Sequence, residues 1–230
     1  MLQQGPMTLA LLAVGFWVFA LIATYLKETT KKPFLARTIV KMIPAFIAAV
    51  SVFLSESLAP FYVILMLSLV LCGMGDVGME YNILPGLGLF LFAHFTFVGN
   101  FLFQSFLVGP SAVSLAAFIA CLAVMMVYVV LFHRYLKSSS QAMPASLLRA
   151  VGFYAITISL TVSTSLLLWL VSGVFLGFIP FVGACLFVVS DSLIGIREFH
   201  HHFRLEWASV MITYYLAIFL LSLGAVVYAF

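Results

Sequence analysis

From Ala150 to Ser190 the chain contains no Lys, Arg, Asp or Glu, and the run from Pro60 to Gly75 is equally free of them. Crossing a hydrocarbon core about 30 Å thick takes about 20 apolar residues in a helix, and uncharged runs of this length supply them. Hydrophobic residues make up 65% of the 230 residues and charged ones 7%, against roughly 25% charged in soluble domains. The mean hydropathy is +1.26. The fold class that follows is all-α, a polytopic integral membrane helix bundle. No hydrophilic stretch is long enough to fold separately, so residues 1–230 read as a single transmembrane domain.

Cutting at polar or Pro/Gly-marked breaks gives eight transmembrane helices, over about 7–26, 38–54, 60–79, 84–104, 111–134, 147–171, 175–195 and 207–229. The breaks read KETTKKP, SESLAP, EYN, QSFLVGP, KSSSQAMPAS, a short SGVF turn and REFHHHFRLE. The first hydrophobic stretch has neither a basic n-region nor a small-residue cleavage site, and is expected to be a retained helix.

Loop charges test this count. Lys27, Lys31, Lys32 and Arg37 lie in or beside the first loop, Arg134, Lys137 and Arg149 flank the fifth, and Arg197 and Arg204 lie in the seventh. Nine of the ten Lys and Arg thus sit at odd-numbered loops and none at even-numbered ones or the tails. By the positive-inside rule the odd loops are expected in the cytoplasm and both termini outside. Short loops and the lack of a targeting segment suggest a bacterial inner (plasma) membrane.

Against this background two carboxyls stand out. Asp76, in CGMGDVGME, and Asp191, in LFVVSDSLIG, fall about 15 and 16 residues into helices running toward the cytoplasm. At 1.5 Å per residue both lie roughly 22–24 Å down, in the cytoplasmic half. An intramembrane carboxylate costs roughly 2.5–3.5 kcal/mol on insertion scales and usually faces a cavity or a partner. Lys41, His94, Tyr214 and Tyr215 fall at a similar level, with Glu80 one turn beyond Asp76 and Arg197 near the cytoplasmic mouth. Asp76 and Asp191 are the candidate catalytic pair, and Lys41, Glu80, His94, Arg197, Tyr214 and Tyr215 are candidate substrate-binding residues. Ordinary roles compete for each of the latter: snorkelling for Lys41, water contact for Glu80, interior packing for His94, an aromatic belt for the tyrosines and topology for Arg197.

Asp76 and Asp191 are separated by half the chain, each late in the third helix of a four-helix half, as a 4+4 parallel pseudo-repeat would place them. Desolvation favours the neutral form of a carboxyl, and two carboxyls in one site divide into acid and base. The pair therefore suits either hydrolysis of an acid-labile bond or a proton- or cation-coupled carrier; the residues alone leave both open. A lipid-binding structural or signalling protein is a third possibility.

Other chemistries find little support. Cys72, Cys121 and Cys185 lack metal-ligand spacing, and His200, His201 and His202 are adjacent rather than arranged as HxxxH or HExxH, so no metal site is expected. There is no GxSxG, P-loop or dinucleotide fingerprint. The formal net charge of +3 gives no reason to expect a nucleic-acid partner. Asn100 suits helix packing, and the Gly173/Gly177 pair suits a helix-packing or turn feature.

The segments GMGDVGME, PGLGLFLFAHFTFVGNF, GACLFVVSDSLIGIREF and MITYYLAIFLLSLG, in this order and spacing, resemble the conserved blocks of the YhhN family of membrane proteins. Lys41 matches that family's lysine in helix two. Ile218 stands where Gln is usual, and Thr96 departs from the family's pattern after His94. The resemblance implies lysoplasmalogenase activity: hydrolysis of the vinyl-ether bond of a lysoplasmalogen or related lysophospholipid to a fatty aldehyde and glycerophosphocholine or glycerophosphoethanolamine. It implies no cofactor and no partner beyond membrane lipids, and leaves the oligomeric state open. On this expectation one of Asp76 and Asp191 is the acid and the other steers water, Lys41 and Tyr214 orient the headgroup, and the chain lies among Phe-rich helices.

Overall fold

The computed structural model describes residues 6–30, 32–54, 59–139 and 144–228. Among them are eight helices long and apolar enough to cross a membrane, and no strand. They are α1 (Pro6–Thr29), α2 (Leu35–Leu54), α3 (Pro60–Tyr81), α4 (Ile83–Val108), α5 (Ala112–Lys137), α6 (Ala145–Ser172), α7 (Phe178–Phe199) and α8 (Glu206–Ser222), with a short α9 (Gly224–Val227) continuing α8. Lys31, much of the SESLAP break, the middle of the KSSSQAMPAS linker, the two chain ends and position 229 of the last expected span lie outside the described residues.

The SGVF turn is a true break. Gly173 adopts φ 65°, a left-handed conformation that ends α6, and a 3-10 turn over Phe175–Gly177 leads into α7. Left-handed backbone strains residues with a Cβ and suits glycine at a helix end. The EYN break is shorter still. Asn82 alone separates α3 from α4, and its side-chain oxygen accepts a hydrogen bond from the Leu84 N–H at 3.0 Å, capping α4.

This one-residue connection presses α3 and α4 together. A Cβ on Gly78 would lie 2.8 Å from the Gly86 Cα, and one on Gly86 would lie 2.6 Å from the Met79 backbone nitrogen. Small residues allow such approach between membrane helices. Asn100 ties the same pair, donating from Nδ2 to the Phe61 carbonyl at 2.9 Å. Gly86→Ala must therefore push the α3–α4 hairpin apart. The expected result is a lower melting temperature in detergent, from a loss of about 1–3 kcal/mol. Gly88→Ala, where an added Cβ meets nothing within 4 Å, serves as the control and should melt unchanged.

The packing places α2, α3, α4, α6, α7 and α8 around the polar residues. α3 packs on α2 and α4, α7 on α6 and α8, while α4 also packs on α6 as α8 does on α2. Exchanging the two four-helix halves carries one of these last contacts into the other. α1 closes the bundle against α2 and α8, whereas α5 sits outside on α6 and α7. Many outward side chains of α5, such as Val113, Ile119, Val124 and Val127, are exposed and apolar, as a lipid-facing surface requires.

Candidate active site

The polar groups meet at one end of the bundle. The ends of α1 and α7 come together there around Trp207 at the start of α8. Lys27 Nζ lies 4.1 Å from its ring centroid and Arg197 Cζ 3.6 Å. The first and seventh loops thus share an end, the arrangement that eight spans impose.

Asp76 is buried near the end of α3. The Tyr214 hydroxyl donates to its Oδ2 at 2.7 Å, and Lys41 Nζ stands 3.5 Å from Oδ1. One turn on, Glu80 takes three cations. Lys27 Nζ lies at 2.6 Å from Oε1, Lys41 Nζ at 3.4 Å, and the Arg37 guanidinium pairs with Oε2. All four side chains of this node are buried. Arg37 also donates to the Thr30 carbonyl at 2.8 Å, stitching the α1–α2 turn to the node.

Asp191, on α7, is built differently. The Tyr154 hydroxyl from α6 donates to its Oδ2. Among the described residues no Lys or Arg lies within ion-pair distance of it. Each carboxyl on the third helix of its half thus meets a polar partner from the second, Lys41 in one case and Tyr154 in the other. An internal repeat would leave this pattern.

Both carboxyls line one cavity of about 260 Å³, together with Lys27, Lys41, Glu80, Trp207 and Tyr214. A second, mainly apolar slot runs between α4, α5, α6 and α7, walled by Leu87, Phe132, Val151, Ala155 and Ile158. Met79, Ile83, Phe90, Asp191 and Ile194 line both spaces. The polar cavity and the apolar slot therefore meet at Asp191, whose side chain faces both.

An aromatic floor spaces the two carboxyl–phenol pairs. Phe187 packs edge-on against Tyr214 at 5.5 Å and against His94 at 4.6 Å, and His94 packs against Tyr154 at 5.6 Å. His94 is wholly buried and lines neither space. Its Nδ1 pairs with Thr161 Oγ1 at 3.1 Å, and its Nε2 has no hydrogen-bond partner among the described residues.

The sequence-derived site thus divides. Asp76, Asp191, Lys41, Glu80 and Tyr214 line the cavity. His94, Tyr215 and Arg197 do not. The Tyr215 hydroxyl donates to the Lys41 carbonyl at 2.9 Å, holding α8 to α2. Arg197 lies behind Trp207 and pairs with Glu206 at 2.8 Å and with Glu198. Tyr154, Lys27, Arg37 and Trp207 belong to the site without having been singled out as binding residues. Lys27 and Arg37 carried a signal, being charges at helix ends that topology alone already accounted for; Tyr154 carried none beyond one phenol on a helix rich in hydroxyls. Among the described residues no group of three His, Cys, Asp or Glu is placed to hold a metal ion.

An eight-span bundle with two carboxyls sharing a cavity at one end, beside an apolar slot of about 40 Å³, defines an integral membrane protein with a polar site at one end of the bundle. The chain belongs to the YhhN family, whose family model matches residues 36–225. No curated protein and no solved structure matches it significantly.

Proposed function

We propose that the protein is a lysoplasmalogenase, hydrolysing the vinyl ether of a lysoplasmalogen with Asp191 as proton donor and Asp76 as base. The observation that carries this reading is the junction at Asp191 between a charged cavity and an apolar slot. A single-chain ether lipid has the same division, with a polar headgroup, an aliphatic chain and the vinyl ether between them. Family membership supports the reaction class.

Vinyl ethers resist base and cleave after protonation at carbon. Asp191, with no Lys or Arg in ion-pair distance among the described residues and next to the apolar slot, gives its proton to the alkene carbon remote from oxygen, and an oxocarbenium ion forms. Asp76 stabilises that charge and takes a proton from the water that adds to the ion, leaving a hemiacetal. As the hemiacetal collapses, Asp191 recovers a proton from its hydroxyl and Asp76 delivers one to the departing glycerol oxygen. The products are a fatty aldehyde and the glycerophospho-alcohol, and both carboxyls return to their starting forms. Paired carboxyls act against a similar cation in glycoside hydrolysis. Tyr154 and Tyr214 orient the two carboxyls, one hydroxyl each. The loop charges support a site at the cytoplasmic face, and the short loops support a bacterial inner membrane.

The test is aldehyde release by purified protein from a 1-alkenyl lysophospholipid, beside the saturated 1-alkyl analogue. Release from the first and none from the second is expected, because only the vinyl ether can be protonated at carbon. Proton-dependent uptake into liposomes without any aldehyde would overturn the reading in favour of a carrier.

A further inference from the structure

We propose that Lys27 and Lys41 together form a phosphate subsite for the lipid headgroup, a step that rests on reading the cavity as a lipid site. An ammonium carries three donors, and its charge-assisted bonds to oxygen run about 2.7–2.9 Å. Among the described residues Lys41 has no acceptor so close. Its nearest oxygens are the Asp76 carbonyl and Glu80 Oε1, each at 3.4 Å, and Asp76 Oδ1 at 3.5 Å. It is buried, lines the cavity and has room for a closer acceptor. Lys27 makes one tight bond, to Glu80 at 2.6 Å, and rests over Trp207, which leaves donor capacity on the cavity side.

The local charge agrees. Three cations (Lys27, Arg37 and Lys41) face two carboxyls (Asp76 and Glu80), an excess of one positive charge in a buried setting. Glu198, another acidic lining residue, shares Arg197 with Glu206, away from the two lysines. A phosphodiester held between the two lysines sits beside Asp76, since Lys41 contacts both. In a lysophospholipid only the three-carbon glycerol separates phosphate from the ether oxygen, so the vinyl group then reaches the carboxyls and the chain enters the slot at Asp191. Lys27 precedes the family-matched residues 36–225, so this half of the subsite comes from outside them.

Binding of a saturated 1-alkyl-glycerophosphocholine, which contains no vinyl group, is compared with binding of the matching 1-alkylglycerol, which lacks the phosphate headgroup. The wild-type protein is expected to prefer the phospholipid at least about tenfold, the scale of one charge-assisted hydrogen bond. Lys27→Gln should bring that ratio below about threefold with the alkylglycerol affinity unchanged, and Lys27→Arg should restore most of it. Equal wild-type affinities, or an equal loss for both ligands in Lys27→Gln, would show that Lys27 is only a counter-ion for Glu80. The wild-type comparison decides the matter even where the variant fails to fold. Because neither ligand can be cleaved, failure to detect hydrolysis leaves this result standing, and hydrolysis without discrimination removes the subsite alone.

Discussion

Asp191→Asn is expected to lower aldehyde release about 10³-fold, within the 10²–10⁴ range that positioned acid–base groups contribute, while the protein melts within a few degrees of wild type. The two halves of this expectation have separate causes. Asn cannot deliver a proton to carbon, so the first chemical step loses its donor. Yet Asn keeps the shape of Asp, and its amide oxygen still accepts the hydrogen bond that Tyr154 now gives the carboxylate. No cation is stranded, because none is paired with Asp191 among the described residues. Asp76→Asn should also silence the enzyme, but with a structural cost, since Lys41 loses one of its two carboxylate neighbours. Single-turnover aldehyde assays with parallel thermal melts check both. Turnover within tenfold of wild type in Asp191→Asn would remove it as proton donor.

How far this site could be read in advance depends on what each residue reveals from sequence. Asp76 and Asp191 were legible because lipid penalises charge, and helix length put them at a matching level near one end of their helices. Both line one cavity there. The spans were legible for the same reason, and even the short break before Phe175 holds, because Gly173 ends α6 in a left-handed conformation. What hydropathy does not reveal is which way a side chain points. Tyr214 and Tyr215 are neighbours at nearly the same depth, yet one donates to Asp76 and the other to a backbone carbonyl of α2. Tyr154 lies on a helix rich in buried hydroxyls that mostly bond to their own backbone, as Ser159, Ser163 and Thr164 do. A phenol is too long to bond back to its own helix as those hydroxyls do, but the sequence does not say which partner it meets. Lys27 and Arg37 turn inward to a carboxylate; read from sequence they are loop charges that topology arguments absorb, so a second role left no trace.

Glu80→Gln is expected to unsettle the fold more than any other single change at this end of the bundle. The carboxylate is buried and holds Lys27, Arg37 and Lys41. Removing one partner of a buried ionic cluster leaves uncompensated charge behind, a loss of about 3–5 kcal/mol. For a chain of this size that corresponds to a melting temperature lower by roughly 6–20 °C. The effect must be electrostatic rather than steric, because Gln has the same shape. Adding Lys27→Gln to Glu80→Gln therefore removes one stranded cation and should recover part of the lost stability, a coupling that a double-mutant cycle measures directly. Simple additivity would mean that Glu80 and Lys27 act independently, and an unchanged melting temperature in Glu80→Gln would dissolve the node altogether. Function follows from the same arrangement. Glu80 and Asp76 hold Lys41 between them at 3.4 and 3.5 Å, too far for a tight pair and near enough to fix its position. With Glu80 neutral, Asp76 is the one carboxylate among the described residues left beside Lys41, and the proposed base becomes a salt-bridge partner instead. A fall in kcat of Glu80→Gln beyond what its folded fraction accounts for is the expected signature of that capture.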